Sequence, residues 1–456
     1  MSEQLTILPN AHYSSFLRQL PKDWEQKEVS QIGTVFGGGT PSREVLSFWE
    51  GTIPWLTPGE VSRGDVKLLH DTKEHISASG LAGSGTKLLP PGSLLVTTRA
   101  TLGARVINAV PMTTNQGFKA VVFNNAQDAN FYFHLFEKLK PEFIRRASGT
   151  TFLEISGAEF GSIKVPSPPE NEKLLITKIL DNLDTAIHET ESTIHKLKAI
   201  RQGLLNDLLT RGVGTSGELR PLQSEAPELY KESPLGWIPK DWTAIALEEL
   251  AEPSPNSIVD GPFGSNLKTA HYRTEGIPVI QSGYVTSGRF LAKHYVYVTE
   301  NHFHSQARSK VNPGDIVMAK IGANAGMCAV LPEDHSIGIL AGNSLKITPD
   351  LRKVSREWLL HYLHRLYALT SMSEVRTETA QPAISLGRIR KLVIPVPTLT
   401  EQIQTVSTLE KIENAINANS DEHRSLQHLK LGLMDDLLTG RVRVTKLLGH
   451  ATQGST

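Results

Sequence analysis

The strongest hydrophobic pattern in the chain is a seam. Between Glu170 and Thr210, the residues Ile176, Leu180, Leu183, Ile187, Ile194, Leu197, Leu204 and Leu208 recur at alternating steps of four and three, interrupted only at Thr190 and Arg201. That is the narrow stripe of a coiled coil, not the broad apolar face of a helix lying on a globular core. It predicts one helix of roughly 60 Å at 1.5 Å per residue. Ser167-Pro168-Pro169-Glu170 is expected to form its capping box, with proline in the first turn where the missing N–H does no harm. Elsewhere the apolar runs are short and bounded by Gly and Pro. Ile53-Pro54-Trp55-Leu56, Ser93–Thr97 and Ala120–Phe123 read as strands. A further helix is expected from Ala129 to Arg146, where Phe133, Phe136, Leu139 and Phe143 keep helical spacing. The pattern predicts a lead-in over residues 1–20, an α+β domain over 21–169, the long helix over 170–210 and a Gly-, Pro-, Ser- and Glu-rich linker over 211–238.

The pattern then begins again. Pro239-Lys240-Asp241-Trp242 repeats Pro21-Lys22-Asp23-Trp24, Ile277-Pro278 answers Ile53-Pro54, and Pro313-Gly314 answers Pro91-Gly92. Residues Gly342 to Lys346 answer Asn115 to Lys119, Thr379 with Ile384-Ser385 answers Thr150 with Ile155-Ser156, and Ile394-Pro395-Val396-Pro397 answers Val165-Pro166-Ser167-Pro168. The offset grows from 218 to 229 along the repeat, so the second copy carries a net eleven extra residues. A period this long means two whole domains and not a solenoid. The second domain is expected over 239–398, its own long helix over 399–440, capped by Thr398 and Glu401, and a tail over 441–456. At the offset of 229, Leu180, Leu183, Ile187, Leu197 and Leu204 fall on Leu409, Ile412, Ile416, Leu426 and Leu433, and the interruptions Thr190 and Arg201 fall on Asn419 and Lys430. Polar residues at seam positions cost stability but fix register and partner, so the two helices are expected to pair with each other. The fold class predicted is therefore α+β: two tandem domains and two long helices forming an antiparallel intramolecular coiled coil, a pseudo-two-fold internal repeat with one domain near each end of a rod.

Composition narrows the function classes. The 456 residues are 39% hydrophobic and 21% charged, ordinary for a water-soluble protein, and basic and acidic residues balance at 47 each. Any affinity for nucleic acid must then come from local contacts and not from a global positive field. A single cysteine, Cys328, excludes a disulfide framework and a cysteine-ligated zinc site. No run reaches the ~18 apolar residues of a membrane span, and Met1–Asn10 lacks the layout of a signal peptide. A cytoplasmic protein is expected.

Catalytic signatures are scarce. Gly80 to Lys87 has Lys and Thr in the wrong order for a phosphate loop, and Phe36-Gly37-Gly38-Gly39-Thr40-Pro41 lacks dinucleotide-loop spacing. His302 with His304, and His361 with His364, have no carboxylate or cysteine cluster to complete a metal site. No nucleophile elbow is present. The expectation is no catalytic residue and no metal. Recognition chemistry is better represented, because each copy places small polar loops with a basic neighbour after a strand. Thr98, Arg99 and Thr101 lie in one such loop, Lys320 and Asn324 in its counterpart. Asn115 and Gln116 in the first copy, and Gln281, Ser282, Asn343 and Ser344 in the second, supply amides and hydroxyls. Thr40, Ser42, Arg43, Thr57 and Thr150 are counted with the first set, and Lys268, Thr379 and Gln381 with the second. Such side chains read base edges and phosphates. Matched placement with different side chains points to two different ligands of one kind. The basic clusters Arg145-Arg146 and Arg388-Ile389-Arg390-Lys391 are phosphate candidates or solvated element ends.

These residues together resemble the DNA-specificity subunit of type I restriction-modification systems. The resemblance is carried by the duplicated Pro-Lys-Asp-Trp starts, the strand entries at 91–95 and 313–317, and the Thr98-Arg99-Ala100-Thr101-Leu102-Gly103 loop. It continues through the linker segment 228–237, the Pro-x-Pro segments before each long helix, and the endings Asp207–Thr210 and Asp436–Thr439. It implies two target-recognition domains reading double-stranded DNA, each taking one half of a split, asymmetric site. It also implies long helices that act as spacer and as docking surface for two modification subunits, with restriction subunits carrying motor and nuclease activity. The resemblance places S-adenosylmethionine, ATP and magnesium in those partners and no cofactor in this chain. Two other classes compete: an autonomous tandem enzyme, which the missing motifs disfavour, and a non-catalytic coiled-coil adaptor joining two protein-binding domains.

Overall fold

The computed structural model describes residues 17–61, 66–99, 101–148, 153–369 and 382–445. The chain divides into two units, one built from both ends of the chain and the other from its continuous middle. One comprises the residues up to Glu191 together with those from Ser420 onward, the other Ser192–Asn419. Four helices organise them: α1 (Asp128–Lys138), α2 (Glu170–Leu208), α3 (Arg356–Ala368) and α4 (Leu399–Leu437), of which α2 and α4 are 39 residues each. Each unit therefore holds one α+β domain, the beginning of one long helix and the end of the other. Among the described residues, no helix is long and apolar enough to cross a membrane.

The described residues of the first unit contain ten strands: β1 (Glu25–Glu28), β2 (Gly33–Gly37), β3 (Ile53–Leu56), β4 (Leu68–Leu69), β5 (Glu74–Ile76), β6 (Leu94–Thr97), β7 (Arg105–Asn108), β8 (Thr113–Thr114), β9 (Phe118–Phe123) and β10 (Lys164–Ser167). They form a five-stranded sheet in the order β2-β9-β6-β7-β4, a three-stranded sheet β5-β3-β8, and the antiparallel pair β1-β10. Strand β6 reads as an unbroken apolar run because both its faces are covered. Leu94 and Val96 pack with the aromatic side chains of α1, while Leu95 faces Leu56, Val106 and Phe118. The helix expected from Ala129 to Arg146 is broken. It ends at Lys138, and a separate short helix runs Lys140–Arg146, because Pro141 has no N–H to donate to the carbonyl four residues back and its ring clashes there, while proline is tolerated in the first turn of a new helix. Ile176 and Leu180 of α2 enter the same core as Met434, Leu437 and Leu438 from the end of α4. Burying each such side chain contributes roughly 1.5–3 kcal/mol of transfer free energy.

The second unit opens with the hairpin β11 (Tyr230–Ser233) and β12 (Gly236–Pro239). It continues with β13 (Thr243–Ala246), β14 (Ile258–Asp260), β15 (Ile277–Ile280), β16 (Tyr297–Val298), β17 (Lys310–Val311), β18 (Ile316–Ala319), β19 (Cys328–Val330), β20 (Gly338–Leu340), β21 (Ser344–Ile347) and β22 (Val393–Val396). Its sheets run β14-β21-β18-β19 and β16-β15-β20-β17, with β13-β22 paired apart. The orders β2-β9-β6-β7 and β5-β3-β8 are thus reproduced, down to the parallel pairs β3-β8 and β15-β20. Leu205 and Leu208 from the end of α2 and Val406 and Leu409 from the start of α4 complete its core.

The sheet registers correct one expectation of the repeat. Gly37, Lys119 and Val96 lie in one cross-strand row of the first unit, and Asp260, Leu345 and Met318 in the corresponding row of the second. Leu345, not Lys346, therefore stands where Lys119 stands. Aligning Lys346 with Lys119 is one residue out, and in a strand that slip reverses the face of every side chain.

The helix pair is antiparallel within each unit. In the first, Lys430 Nζ lies 2.5 Å from Asp184 Oδ1; in the second, Arg201 Nε lies 2.7 Å from Glu413 Oε2. Advancing from Asp184 to Arg201 on α2 corresponds to retreating by the same number of residues from Lys430 to Glu413 on α4. The polar interruptions at Arg201 and Lys430 are therefore interhelical ion pairs. Thr190 and Asn419 instead bond back to their own helices, to the carbonyls of Ala186 (2.7 Å) and Ala415 (2.8 Å). Of the predicted seam positions, Leu180, Leu409 and Ile416 are buried, and Leu183, Ile187, Leu197, Leu204, Ile412, Leu426 and Leu433 are half-buried.

The repeated Pro-Lys-Asp-Trp starts have a structural use. In the second unit, Arg220 donates to Asp241 Oδ2 (2.7 Å) and Glu401 Oε2 (3.0 Å), and the Trp242 indole N–H and the Val213 N–H also donate to Glu401 (3.0 and 2.8 Å). In the first unit, Arg443 donates to both carboxylate oxygens of Asp23 (2.8 and 2.7 Å) and to Glu172 Oε2 (2.9 Å). The arginine after each long helix thus clasps the first turn of the other long helix to the start of a domain. Thr398 caps α4 as expected, accepting from the Glu401 N–H at 3.3 Å, but the Glu401 carboxylate serves the clasp and does not close a capping box. At α2 the Glu170 carboxylate accepts from Lys173 Nζ (3.3 Å) in place of the box expected with Ser167.

Candidate nucleic-acid interface

In the first unit the C-terminal ends of β2, β3, β6 and β8 meet. The Gly39 N–H donates to the Thr114 carbonyl (2.9 Å), the Asn115 N–H to Leu56 (3.0 Å) and the Thr98 N–H to Gly117 (2.8 Å). A Cβ on Gly38 would sit 1.8 Å from the Asn115 carbonyl oxygen and one on Gly39 2.5 Å from the Thr86 backbone nitrogen, so these two glycines serve close backbone approach. Thr40 hydrogen-bonds Gln116 across this end, and both are exposed. Arg99 stands partly exposed with Nε 3.9 Å from Glu154 Oε2, and Thr101 is exposed. Lys119 Nζ is 3.9 Å from the other oxygen of Glu154, and burial holds its ammonium below the ordinary lysine range against the pull of that carboxylate.

Other candidates are committed to the scaffold. Thr98 is fully buried, with its hydroxyl 3.5 Å from the Gly117 carbonyl. Asn115 Oδ1 accepts from the Gly117 N–H (2.8 Å), and the Thr57 hydroxyl donates to Glu60 (2.9 Å). Ser42 accepts from the Glu44 N–H (3.3 Å). Arg43 pairs with Glu74 (3.0 Å for Nη2) while its guanidinium stacks 3.6 Å above Trp49, an edge-on neighbour of Trp55.

In the second unit the matching ends are those of β14, β15 and β18 and the turn between β20 and β21. The Lys320 N–H donates to the Asn343 carbonyl (2.8 Å), the Ala341 N–H to Ile280 (2.9 Å) and the Ser282 N–H to Asn343 Oδ1 (3.4 Å). Gln281, Ser282, Lys320 and Asn343 are thereby brought together, with Ser344 buried beneath. Lys268 stands exposed on the Thr269–His271 turn, its N–H donating to His271 Nδ1 (3.1 Å), and Asn324 accepts from the Tyr367 hydroxyl (3.3 Å); neither joins those contacts. Thr150, Thr379 and Gln381 lie outside the described residues. Sequence reasoning missed Asp260, Phe263 and Arg308 at this end. Lys320 Nζ bonds Asp260 Oδ2 (2.6 Å), and Arg308 Nη2 bonds Asp260 Oδ1 (2.6 Å). The turn Asp260-Gly261-Pro262-Phe263-Gly264 was the available signal. The basic clusters are element ends: Arg145 and Arg146 both pair with Glu142 (2.6 Å each), and Arg390 donates to the Ile258 carbonyl (2.7 Å).

Metal and nucleophile chemistry find little support among the described residues. His134, Asp181 and Asp184 bring ligand atoms within 4.8 Å of one another. Lys67 lies 2.6 Å from Asp181 and Lys430 2.5 Å from Asp184, so two ammonium groups already neutralise the carboxylates. Against the opposing effect of burial, His134 and Lys67 hold the Asp181 carboxyl below its ordinary range. The His364 ring bonds the Cys328 carbonyl (2.7 Å), and burial pushes the Cys328 thiol up, away from a reactive thiolate.

One scaffold used twice, with different side chains on matching strand ends and a shared pair of long helices, defines a tandem recognition protein. The chain belongs to the type I restriction modification DNA specificity domain family, whose pattern matches residues 21–199 and again 239–426. Among curated relatives, the type I restriction enzyme MjaIX specificity subunit of Methanocaldococcus jannaschii is 23% identical over 435 residues, covering 94% of this chain and 96% of that one. The solved structures agree in fold. A chain from a study of complex assembly and conformational transition of the type I R-M system has a TM-score of 0.56 at 18% identity, covering 93% of this chain and 99% of its own. The type I restriction-modification S subunit from M. genitalium has a TM-score of 0.51 at 14% identity, covering 96% and 99%.

Proposed function

We propose that the chain gives a type I restriction-modification complex its DNA sequence specificity, with each domain reading one half of an interrupted, asymmetric site. One observation carries this reading. The strand-end scaffold is the same in both units, but the polar side chains it carries, exposed or half-buried, differ: Thr40, Arg99, Thr101 and Gln116 in one, Gln281, Ser282, Lys320 and Asn343 in the other. Identical frames with different donors and acceptors are what two different base sequences require. The long helices act as the spacer between the readers. Their outward faces, which expose Leu174, Ile200, Ile403 and Leu429, are the docking surface for two modification subunits. Leu174 and Ile403, and likewise Ile200 and Leu429, are equivalent in the repeat, as two copies of one partner require. Adenine methylation with S-adenosylmethionine belongs to those subunits, and ATP- and magnesium-dependent cleavage to restriction subunits. The chain itself contributes no catalysis and works in the cytoplasm. Mixing it with its methylating partner and a random duplex pool should enrich one interrupted sequence. Enrichment of nothing would favour the protein-adaptor reading.

A further inference from the structure

Asp260, at the end of β14, is 7% exposed, yet both of its carboxylate oxygens hold cations, Lys320 on one and Arg308 on the other, each at 2.6 Å. The Ser309 hydroxyl fixes the Asp260 carbonyl (2.9 Å), and Lys320 Nζ lies 4.1 Å above the Phe263 ring. Two cations from separate segments are thus locked around one carboxylate, leaving a local charge of plus one.

The first unit shows that the fold does not require this arrangement. By strand register and backbone bonding, Asp260 corresponds to Gly37 and Lys320 to Thr98. The surrounding backbone is the same in both. The Gly261 N–H donates to Ser344 (3.0 Å) as that of Gly38 does to Phe118 (3.4 Å), and the Ile384 N–H donates to Lys320 (2.8 Å) as that of Ile155 does to Thr98 (3.1 Å). At the two equivalent positions the first domain has neutral Gly37 and Thr98 where the second has Asp260 and Lys320, and the first domain's own charges at this end, Arg99 and Lys119 each 3.9 Å from Glu154, stand at other positions. The trio of Asp260, Lys320 and Arg308 is side-chain content particular to the second reader.

Resting on the DNA-reading role, we infer that Asp260 is a positioning residue, which holds Lys320 and Arg308 as a preset pair of donors for the second half-site. An ammonium has three donors and a guanidinium five, so both keep N–H groups for phosphate or base edges after serving Asp260. A flexible lysine fixed in advance loses less freedom on binding. The carboxylate also offsets one of the two charges, weakening attraction to any phosphate backbone relative to the sequence whose geometry fits.

The test uses the full chain assembled with its methylating partner and the duplex that the wild-type complex enriches from a random pool. Versions of that duplex with one half or both halves scrambled complete the set. D260N should lose at least about ten-fold in affinity for the enriched duplex. It should bind the fully scrambled duplex as tightly as wild type or more so, with a salt dependence steeper by about one unit of log–log slope as a freed cation finds phosphate. D260E should recover most of the loss, and discrimination against a scrambled first half should persist. Equal losses on enriched and scrambled duplexes, no loss at all, or failure of D260E to rescue would each overturn the positioning role. If the wild-type complex enriches no sequence, the DNA-reading assignment falls too. If wild type and D260N discriminate the second half equally, the positioning role alone falls.

Discussion

Replacing Glu401 by Gln tests the clasp that joins the start of α4 to the second domain. The carboxylate is almost wholly buried and takes the Arg220 guanidinium, the Trp242 indole N–H and the Val213 N–H. Arg220 is equally buried, with side-chain exposure of 7%, and keeps only exposed Asp241 as an ionic partner once Glu401 is neutral. Removing one partner of a buried pair leaves a buried charge uncompensated and costs about 3–5 kcal/mol. For a unit of this size, 1 kcal/mol corresponds to about 2–4 °C in Tm, so E401Q should lower the unfolding midpoint of the second unit by roughly 6–20 °C. The equivalent E172Q should cost less, because its arginine, Arg443, is 27% exposed and remains tied to Asp23. Thermal unfolding followed by peptide-resolved hydrogen exchange on the full chain separates the units. A loss below about 1 kcal/mol for E401Q, or a larger loss for E172Q, would refute the reasoning.

Three further outcomes follow from other contacts. Burial holds His361 at about 4 against its ordinary 6.5. Between those values the unfolded chain binds a proton that the folded chain does not, so stability falls as pH falls through that window. The loss is about 3 kcal/mol, and H361Q should abolish that part of the pH dependence in denaturant titrations. L180A and L409A, at buried seam positions in different units, should each cost about 2–5 kcal/mol, with accelerated hydrogen exchange in the first and second unit respectively; exchange rising equally in both units after either change would contradict the assignment of each core. R99A should weaken binding by about 1–3 kcal/mol and relax discrimination in one half-site only, as competition with half-scrambled duplexes would reveal. Relaxed reading of both halves would count against one domain per half.

The helices were legible because seam positions at steps of four and three in the first recur at the same spacing in the second, and a repeat of pattern survives divergence of residue type. Even the interruptions at Arg201 and Lys430 announced themselves, although their partners Glu413 and Asp184 did not. Strand ends were harder to read. The shared lysine drew Lys346 onto Lys119, whereas the hydrogen-bond ladder places Leu345 there. Thr98 read as a loop side chain and proves to be buried, because the Gly117 segment crosses over it. Asp260 drew no notice at all. Its partners Lys320 and Arg308 lie 60 and 48 residues away, a separation that no local periodicity encodes. The clasps illustrate the same limit: Pro-Lys-Asp-Trp was visible twice, while its link to an arginine beyond a long helix exists only in the folded chain.

The most direct test of the central claim is the sequence enriched from a random duplex pool by the chain together with its methylating partner, read with protein variants at each strand end. Two readers on one scaffold predict an interrupted, asymmetric site, one half of which degenerates when Arg99 and Gln116 are replaced and the other when Gln281 and Lys320 are replaced. A continuous site altered in the same way by both sets of replacements, or no enriched sequence, would contradict it.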